Sequence, residues 1–278
     1  PGTKGMSLAR ARSETNAHVI EVEHPGKALL LARAHPEKEI VYFAIGFETT
    51  AAPNALALAQ AAHEGLHNFS MLTSQVTVPP AIRMLCDREN NDIDAFLAAG
   101  HVCTIMGYHE YLPLAEEYRI PIVVAGFEPV DLLLALRTTI AMLEKGEHGV
   151  RNQYTRMVTR EGNTVAQRYM SEMFTLVDRE WNGIGVIPSS GLGIRPEFAH
   201  MDTDVRFREL LEGPFRDELP RSCLDPRCML DRVHMGEDPR TCPMFAAECT
   251  PEHPVGAGMF GEGACKARYA IHQIKEEA

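Results

Sequence analysis

The sequence predicts an α/β protein with three parts: a doubly wound parallel sheet domain, part of a second α/β domain, and a small cysteine-rich C-terminal domain. Three observations carry this reading. From about His18 to Gly146, short apolar runs alternate with amphipathic stretches, and repeated βα units of that length build a parallel sheet covered on both faces. Residues 151–213 then offer one helical pattern and two strand patterns, too few to bury both faces of a sheet alone, so they either join the first sheet or belong to a second, incomplete domain. Finally, five of the seven cysteines fall in the last 56 residues, in a stretch rich in Pro, Gly, Met and charge with little periodicity. Such a segment cannot build a large core and needs a metal or cross-links to hold it.

In order, His18–Val22 reads as a strand and Gly26–Ala34 as a helix ended by Pro36. Ile40–Ile45 is a second strand, followed by a helix over Asn54–Ala62. Phe69–Thr73 is a third strand, with a helix from Pro79 to Cys86. Asp94–Leu97 is a short fourth, with a helix near Tyr111–Tyr118. Pro121–Ala125, apolar throughout, is the fifth, and its helix runs from Val130 to Lys145. Gly162–Asn163 opens a helix through Met173, and strands follow at Phe174–Asp178 and Gly185–Pro188. These elements divide the chain into residues 1–15, the tail of a truncated N-terminal domain; 16–150, the α/β domain; 151–213, an incomplete second α/β domain; and 214–278, the cysteine-rich domain. The first residue is Pro1 rather than Met, as expected of a fragment or a processed product.

Composition narrows the function. The 278 residues are 45% hydrophobic and 23% charged, which excludes a disordered or collagen-like chain. A net charge of −11 argues against generic nucleic-acid binding, which needs a basic surface. Val130–Leu143 carries Asp131 and Arg137 and is too short to span a bilayer. Seven cysteines are too few for a disulfide scaffold, and their local clustering reads as a metal site in a reducing compartment, with the cytoplasm as the expected location. Neither a Gly-x-Gly-x-x-Gly fingerprint nor a P-loop is present.

In doubly wound sheets, ligands bind beyond the carboxyl ends of the strands. Three predicted strands here run into Gly46-Phe47-Glu48, Gly100-His101 and Gly126-Phe127-Glu128. Glu48, His101 and Glu128 are therefore expected to converge at one sheet edge as candidate catalytic residues. Two carboxylates and an imidazole there could exchange protons, bind a partner or ligate iron. The plain alternative is helix capping: Thr49 or Thr50 is an N-cap candidate, Pro129 is a favoured first helical residue, and Glu suits a first turn. Cys86 reads as core. Cys103 is either a reactive thiol or a small buried residue.

Cys228, Cys242, Cys249 and Cys265 have 13, 6 and 15 residues between them. Four thiolates can hold structural zinc or an iron–sulfur cluster. Zinc sites usually use closer pairs, whereas wide spacing suits a cubane; disulfides or unliganded core thiols remain open. Cys223 is a further thiol beside the set.

Taken together, the motifs resemble the HypD family of hydrogenase maturation proteins. The likeness lies in Gly46-Phe47-Glu48-Thr49-Thr50, Gly100-His101-Val102, Val123 to Leu132 with its Gly126-Phe127-Glu128-Pro129, Asn152-Gln153-Tyr154, Gly162-Asn163, Trp181-Asn182-Gly183, Cys242-Pro243-Met244-Phe245, Cys249 to Ala257, and Glu262-Gly263-Ala264-Cys265. The resemblance implies a role in assembling the Fe(CN)₂CO unit of [NiFe] hydrogenases, with the small chaperone HypC and the cyanide donor HypE. It also implies that residues 214–278 form an iron–sulfur domain, with a [4Fe–4S] cluster on Cys228, Cys242, Cys249 and Cys265. The alternative is a zinc-stabilised α/β binding module without redox activity. The sequence departs from the family pattern in places. The family's Cys-Gly-Gly-His-Thr and Gly-Pro-Gly-Cys-Pro-x-Cys motifs occur nowhere in these 278 residues, and the Gly258–Gly263 stretch is one residue short.

Overall fold

A computed structural model describes residues 12–13, 18–89, 91–181, 185–211, 228–229, 232–233, 237–259 and 263–276. Its strands fall into two sheets. In the first, β1 (Ile40–Gly46) and β2 (Phe69–Val76) pair in parallel, from Ile40 opposite Phe69 to Gly46 opposite Gln75. The crossover between them is α2 (Glu48–Glu64), preceded in the chain by α1 (Pro25–Ala34). Ala51, Ala55, Leu58 and Ala61 recur on one face of α2 and are fully buried against Leu29 of α1 and Phe69 and Met71 of β2. The small alanines let the helices approach closely.

The second sheet is β3 (Phe96–Ala99), β4 (Pro121–Ala125) and β5 (Gly149–Asn152), all parallel, with β4 in the centre. Alternate residues of β4 face opposite layers. Ile122 and Val124 pack with Tyr111, Leu114 and Ala115, on or beside α5 (Tyr111–Glu117), while Val123 and Ala125 pack with Ala135 and Met142 of α6 (Pro129–Glu144). This sheet alone has the doubly wound layering. The outward side of α6 carries Leu133, Leu136 and Ile140 in solvent.

The remaining strands extend the first sheet. α7 (Thr164–Met173) leads into β6 (Phe174–Trp181) and β7 (Gly185–Ile194), an antiparallel pair. β7 lies antiparallel to the end of β2, with Gln75 opposite Leu192, giving the order β1-β2-β7-β6. The two sheets meet through α4 (Gly100–Met106), which packs on α2 and α7. Beyond β7 come a 3₁₀ turn at Pro196–Met201 and the short helices α8 (Thr203–Arg206) and α9 (Arg208–Leu211). In the C-terminal part are 3₁₀ turns at Pro239–Thr241 and Ala257–Met259 and the helix α10 (Ala264–Glu276).

The α/β class stands, but the single five-stranded parallel sheet does not. The predicted strands divide between one mixed and one parallel sheet, because apolar periodicity reports a buried strand and says nothing about its neighbour. Of the two arrangements open to the strands of residues 151–213, the structure has the first: β6 and β7 share a sheet with β1 and β2. His18–Val22 forms no strand and pairs with none among the described residues. α2 begins at Glu48 instead of Asn54, carrying Pro53 inside it at the loss of one intrahelical hydrogen bond. β5 and α4 are further elements, short enough to leave no clear periodicity in the sequence. None of the described helices is long and apolar enough to cross a membrane.

Candidate functional site

The central strand β4 delivers its C-terminal end to a tightly built edge. Tyr154, just past β5, lies against both Gly100 and Gly126; a Cβ at either position would sit 2.6 to 2.8 Å from its ring. Both glycines are thus required for space. The His101 ring centroid is 4.6 Å from that of Phe127 and 6.2 Å from that of Tyr154. On the other side the Arg156 guanidinium stacks 4.6 Å over the Tyr154 ring. Arg156 donates two hydrogen bonds to the Asp131 carboxylate, at 2.6 and 2.5 Å, and stands 3.4 Å from Glu128. The paired guanidinium holds the Asp131 carboxyl below its ordinary range, and Asp131 raises Arg156 in turn. His101 and Glu128 are both exposed, so this edge presents an imidazole, an aromatic face and a carboxylate to solvent.

Glu48 goes elsewhere. Gly46 takes φ +115°, a turn that L side chains rarely adopt, and Glu48 then enters the first turn of α2 fully buried. Its Oε1 accepts the Val78 N–H at 2.9 Å. Val78 opens α3 (Val78–Cys86), so the carboxylate satisfies one of the donors that a helix N-terminus leaves over. Its Oε2 is buried and accepts no hydrogen bond among the described residues; the same holds for Gln75 Oε1, while Gln75 Nε2 donates to Thr50 Oγ1 at 3.1 Å. Burial pushes the Glu48 carboxyl up to about 7, against the Val78 hydrogen bond, and nearby Glu110 adds to the rise. Cys103 and Tyr111 belong to the same buried region: burial pushes the Cys103 thiol up to about 12, with Tyr111 hydrogen-bonded to it and Glu48 nearby. A thiol so far from ionisation is an inert core residue.

The structure exposes His101 and Glu128 at one edge, linked through Phe127, Tyr154 and Arg156, and buries Glu48 against the start of α3, so Glu48 does not share that exposed edge. The reason lies in α4. At about 100° per residue, His101 and Cys103 project about 200° apart on that helix, and it is the Cys103 side that faces Glu48. Tyr154 and Asp131, which order the edge, carry no individual signal in the sequence beyond their place in matched motifs, and Arg156 lies outside those motifs.

The cysteine region forms a second centre. Cys228, Cys242, Cys249 and Cys265 all line one small cavity, with Met244, Phe245 and Met259 among its apolar walls. Burial pushes the Cys265 thiol up to about 11, with Cys249, Cys228 and Cys242 adding to it, as expected of sulfurs that face one another. Among the described residues no three His, Cys, Asp or Glu side chains gather into a set able to hold a metal ion; the four sulfurs surround a space.

Local backbone chemistry builds this cavity. The Met244 carbonyl accepts the N–H groups of Ala247, Glu248 and Cys249, and Ala246 takes φ +59°, winding Cys242–Cys249 into a tight loop. The Val255 N–H donates to Cys249 Sγ at 3.3 Å. Asp238 begins the turn before Cys242 and accepts from Arg240 and from Arg268 of α10, the latter at 2.7 Å. This clamp ties the Cys242 segment to the helix that carries Cys265, and the two arginines hold the Asp238 carboxyl far below its ordinary range. Cys223 and part of the shortened Gly258–Gly263 stretch lie outside the described residues.

Comparison with known proteins agrees with the motifs. The family model of HypD, described as the hydrogenase formation hypA family, matches residues 1–272. The chain is 39% identical over 287 residues to the hydrogenase expression/formation protein HupD of Azotobacter chroococcum, covering 100% of this chain and 73% of that protein. It is 38% identical over 282 residues to the hydrogenase maturation factor HypD of Escherichia coli, with 100% and 73% covered. For the HypD of Cupriavidus necator the figures are 38% over 284 residues, 99% and 73%. The chain belongs to the HypD family.

Proposed function

We propose that this chain serves in hydrogenase maturation, as a scaffold and redox partner for assembly of the Fe(CN)₂CO unit together with a HypC-type small chaperone and a HypE-type cyanide donor. We further propose that Cys228, Cys242, Cys249 and Cys265 hold a [4Fe–4S] cluster. The observation that carries the reading is the meeting of these four thiols, far apart in sequence, on one cavity with apolar walls. Thiolates are the soft ligands that iron–sulfur clusters use, and a low-dielectric shell favours their retention. The donor set fits the group. When bound, the cluster supplies single electrons.

The chain's own residues do the rest. The Asp238–Arg268 pair and the loop wound on the Met244 carbonyl hold two of the ligand segments in place. The edge of His101, Phe127 and Glu128 is the surface offered to the iron unit, which is cargo, and to the proteins that bring it. There Tyr154 lies against the His101 ring and Arg156 pairs with Glu128. Glu48, buried, orients α3 from behind.

The test is co-purification under strict exclusion of oxygen. The whole chain, expressed with HypC-type and HypE-type proteins, is expected to retain the chaperone and to show the broad brown absorption of a cluster. His101→Ala is expected to keep the colour and lose iron–cyanide infrared bands from the complex. A colourless chain that retains neither protein overturns the proposal.

A further inference from the structure

We infer that the backbone N–H of Val255 tunes the reduction potential of the cluster assigned to the four cysteines, by donating a hydrogen bond to the Cys249 sulfur. The inference rests on the [4Fe–4S] reading above and goes beyond it, since it names one donor and one ligand.

Three observations place the bond. The Val255 nitrogen lies 3.3 Å from Cys249 Sγ, within the range of an N–H···S contact. Cys249 is buried, whereas Cys228, Cys242 and Cys265 are partly open to solvent. The bond therefore ends on the buried sulfur of the four, where a fixed dipole acts with less screening than at the others. Both ends are also held in place. Cys249 donates its own N–H to the Met244 carbonyl at 2.9 Å, and its carbonyl accepts from Ala246 at 3.2 Å. On the donor side, Thr250 and His253 exchange backbone hydrogen bonds at 3.3 and 3.1 Å, a turn that folds the chain back so that Val255, just after Pro254, points its N–H at the sulfur.

The physical consequence has a definite sign. Adding an electron to a thiolate-ligated cluster increases the negative charge on its sulfurs. A hydrogen bond to a ligand sulfur is therefore stronger in the reduced state and raises the potential. Taking the proton donor away lowers it.

The experiment is an EPR-monitored redox titration of the whole chain, purified anaerobically, as the wild type, Val255→Pro and Val255→Ala. Proline lacks the N–H, and alanine keeps it. The expected result is a more negative midpoint for Val255→Pro and an unchanged one for Val255→Ala. An intact cluster with the same midpoint in all three overturns the inference and leaves the cluster reading standing. A second measurement covers a Val255→Pro chain that does not assemble. In the wild type grown on ¹⁵N-valine, pulsed EPR of the reduced cluster is expected to show a coupled ¹⁵N nucleus, lost in Val255→Ala because the label is no longer there. No such coupling in a cluster-loaded wild type overturns the inference. Iron and sulfide analysis separates this from failure of the underlying reading: a chain that binds neither overturns both.

Discussion

Replacing Glu48 by Gln isolates the energetic consequence of a buried carboxyl, one oxygen of which has no hydrogen-bond partner among the described residues. Burial raises the group from an ordinary 4.5 to about 7. The folded state therefore holds the proton more tightly than the unfolded chain does. The stabilisation from that proton is fully present below pH 4.5 and is lost as pH rises through about 7. At about 1.4 kcal/mol per pH unit, the loss is about 3 kcal/mol. Glu48→Gln keeps an oxygen for the Val78 N–H and cannot ionise. Its stability relative to the wild type is thus expected to grow from pH 5 to pH 8 by about 2.5 kcal/mol. Urea denaturation of both proteins at half-unit steps of pH measures this directly. Parallel stability profiles for the two would refute the reasoning, as would a difference that shrinks toward pH 8.

Three further perturbations test the local architecture. Ala246 adopts a left-handed conformation, φ +59°. Ala246→Gly should therefore raise thermal stability by about 1 kcal/mol, the strain relieved exceeding the entropy lost to glycine, and a fall in melting temperature would contradict this. At Gly126 a side chain would overlap the Asp131 carboxyl and come 2.8 Å from the Tyr154 ring. Gly126→Ala is expected to cost about 1–3 kcal/mol by forcing both aside, and an unchanged denaturation midpoint would count against that packing. Asp238→Asn weakens the hold of Arg240 and Arg268 on the turn before Cys242. Bleaching of the cluster by an iron chelator should then be faster than in the wild type, and equal rates would remove the clamp from the account.

How much was legible in the sequence follows from what kind of signal each feature leaves. Pro121–Ala125 reads cleanly because a strand buried on both faces has no polar position, and all five residues are buried. The pairing of β2 with β7 leaves no such mark; it depends on which edges meet after the helices pack, so the strands expected in one parallel sheet divide between two sheets. The two Gly-Phe-Glu copies look alike, yet one Glu is fully buried and the other exposed. Gly46 is needed for a positive φ and Gly126 for room beside Tyr154, and no residue identity separates those needs. The four cysteines were legible from residue type and spacing. The donor on Cys249 was not, because a backbone N–H belongs to almost every residue and only the fold aims it.

The central claim is that the four cysteines hold a [4Fe–4S] cluster, and metal analysis of the anaerobically purified chain meets it most directly. Iron, sulfide and zinc are counted per chain in the wild type and in Cys249→Ser. The account predicts about four irons and four sulfides in the wild type, with marked loss in the variant. About one zinc with no sulfide would contradict it and indicate the zinc-stabilised module instead.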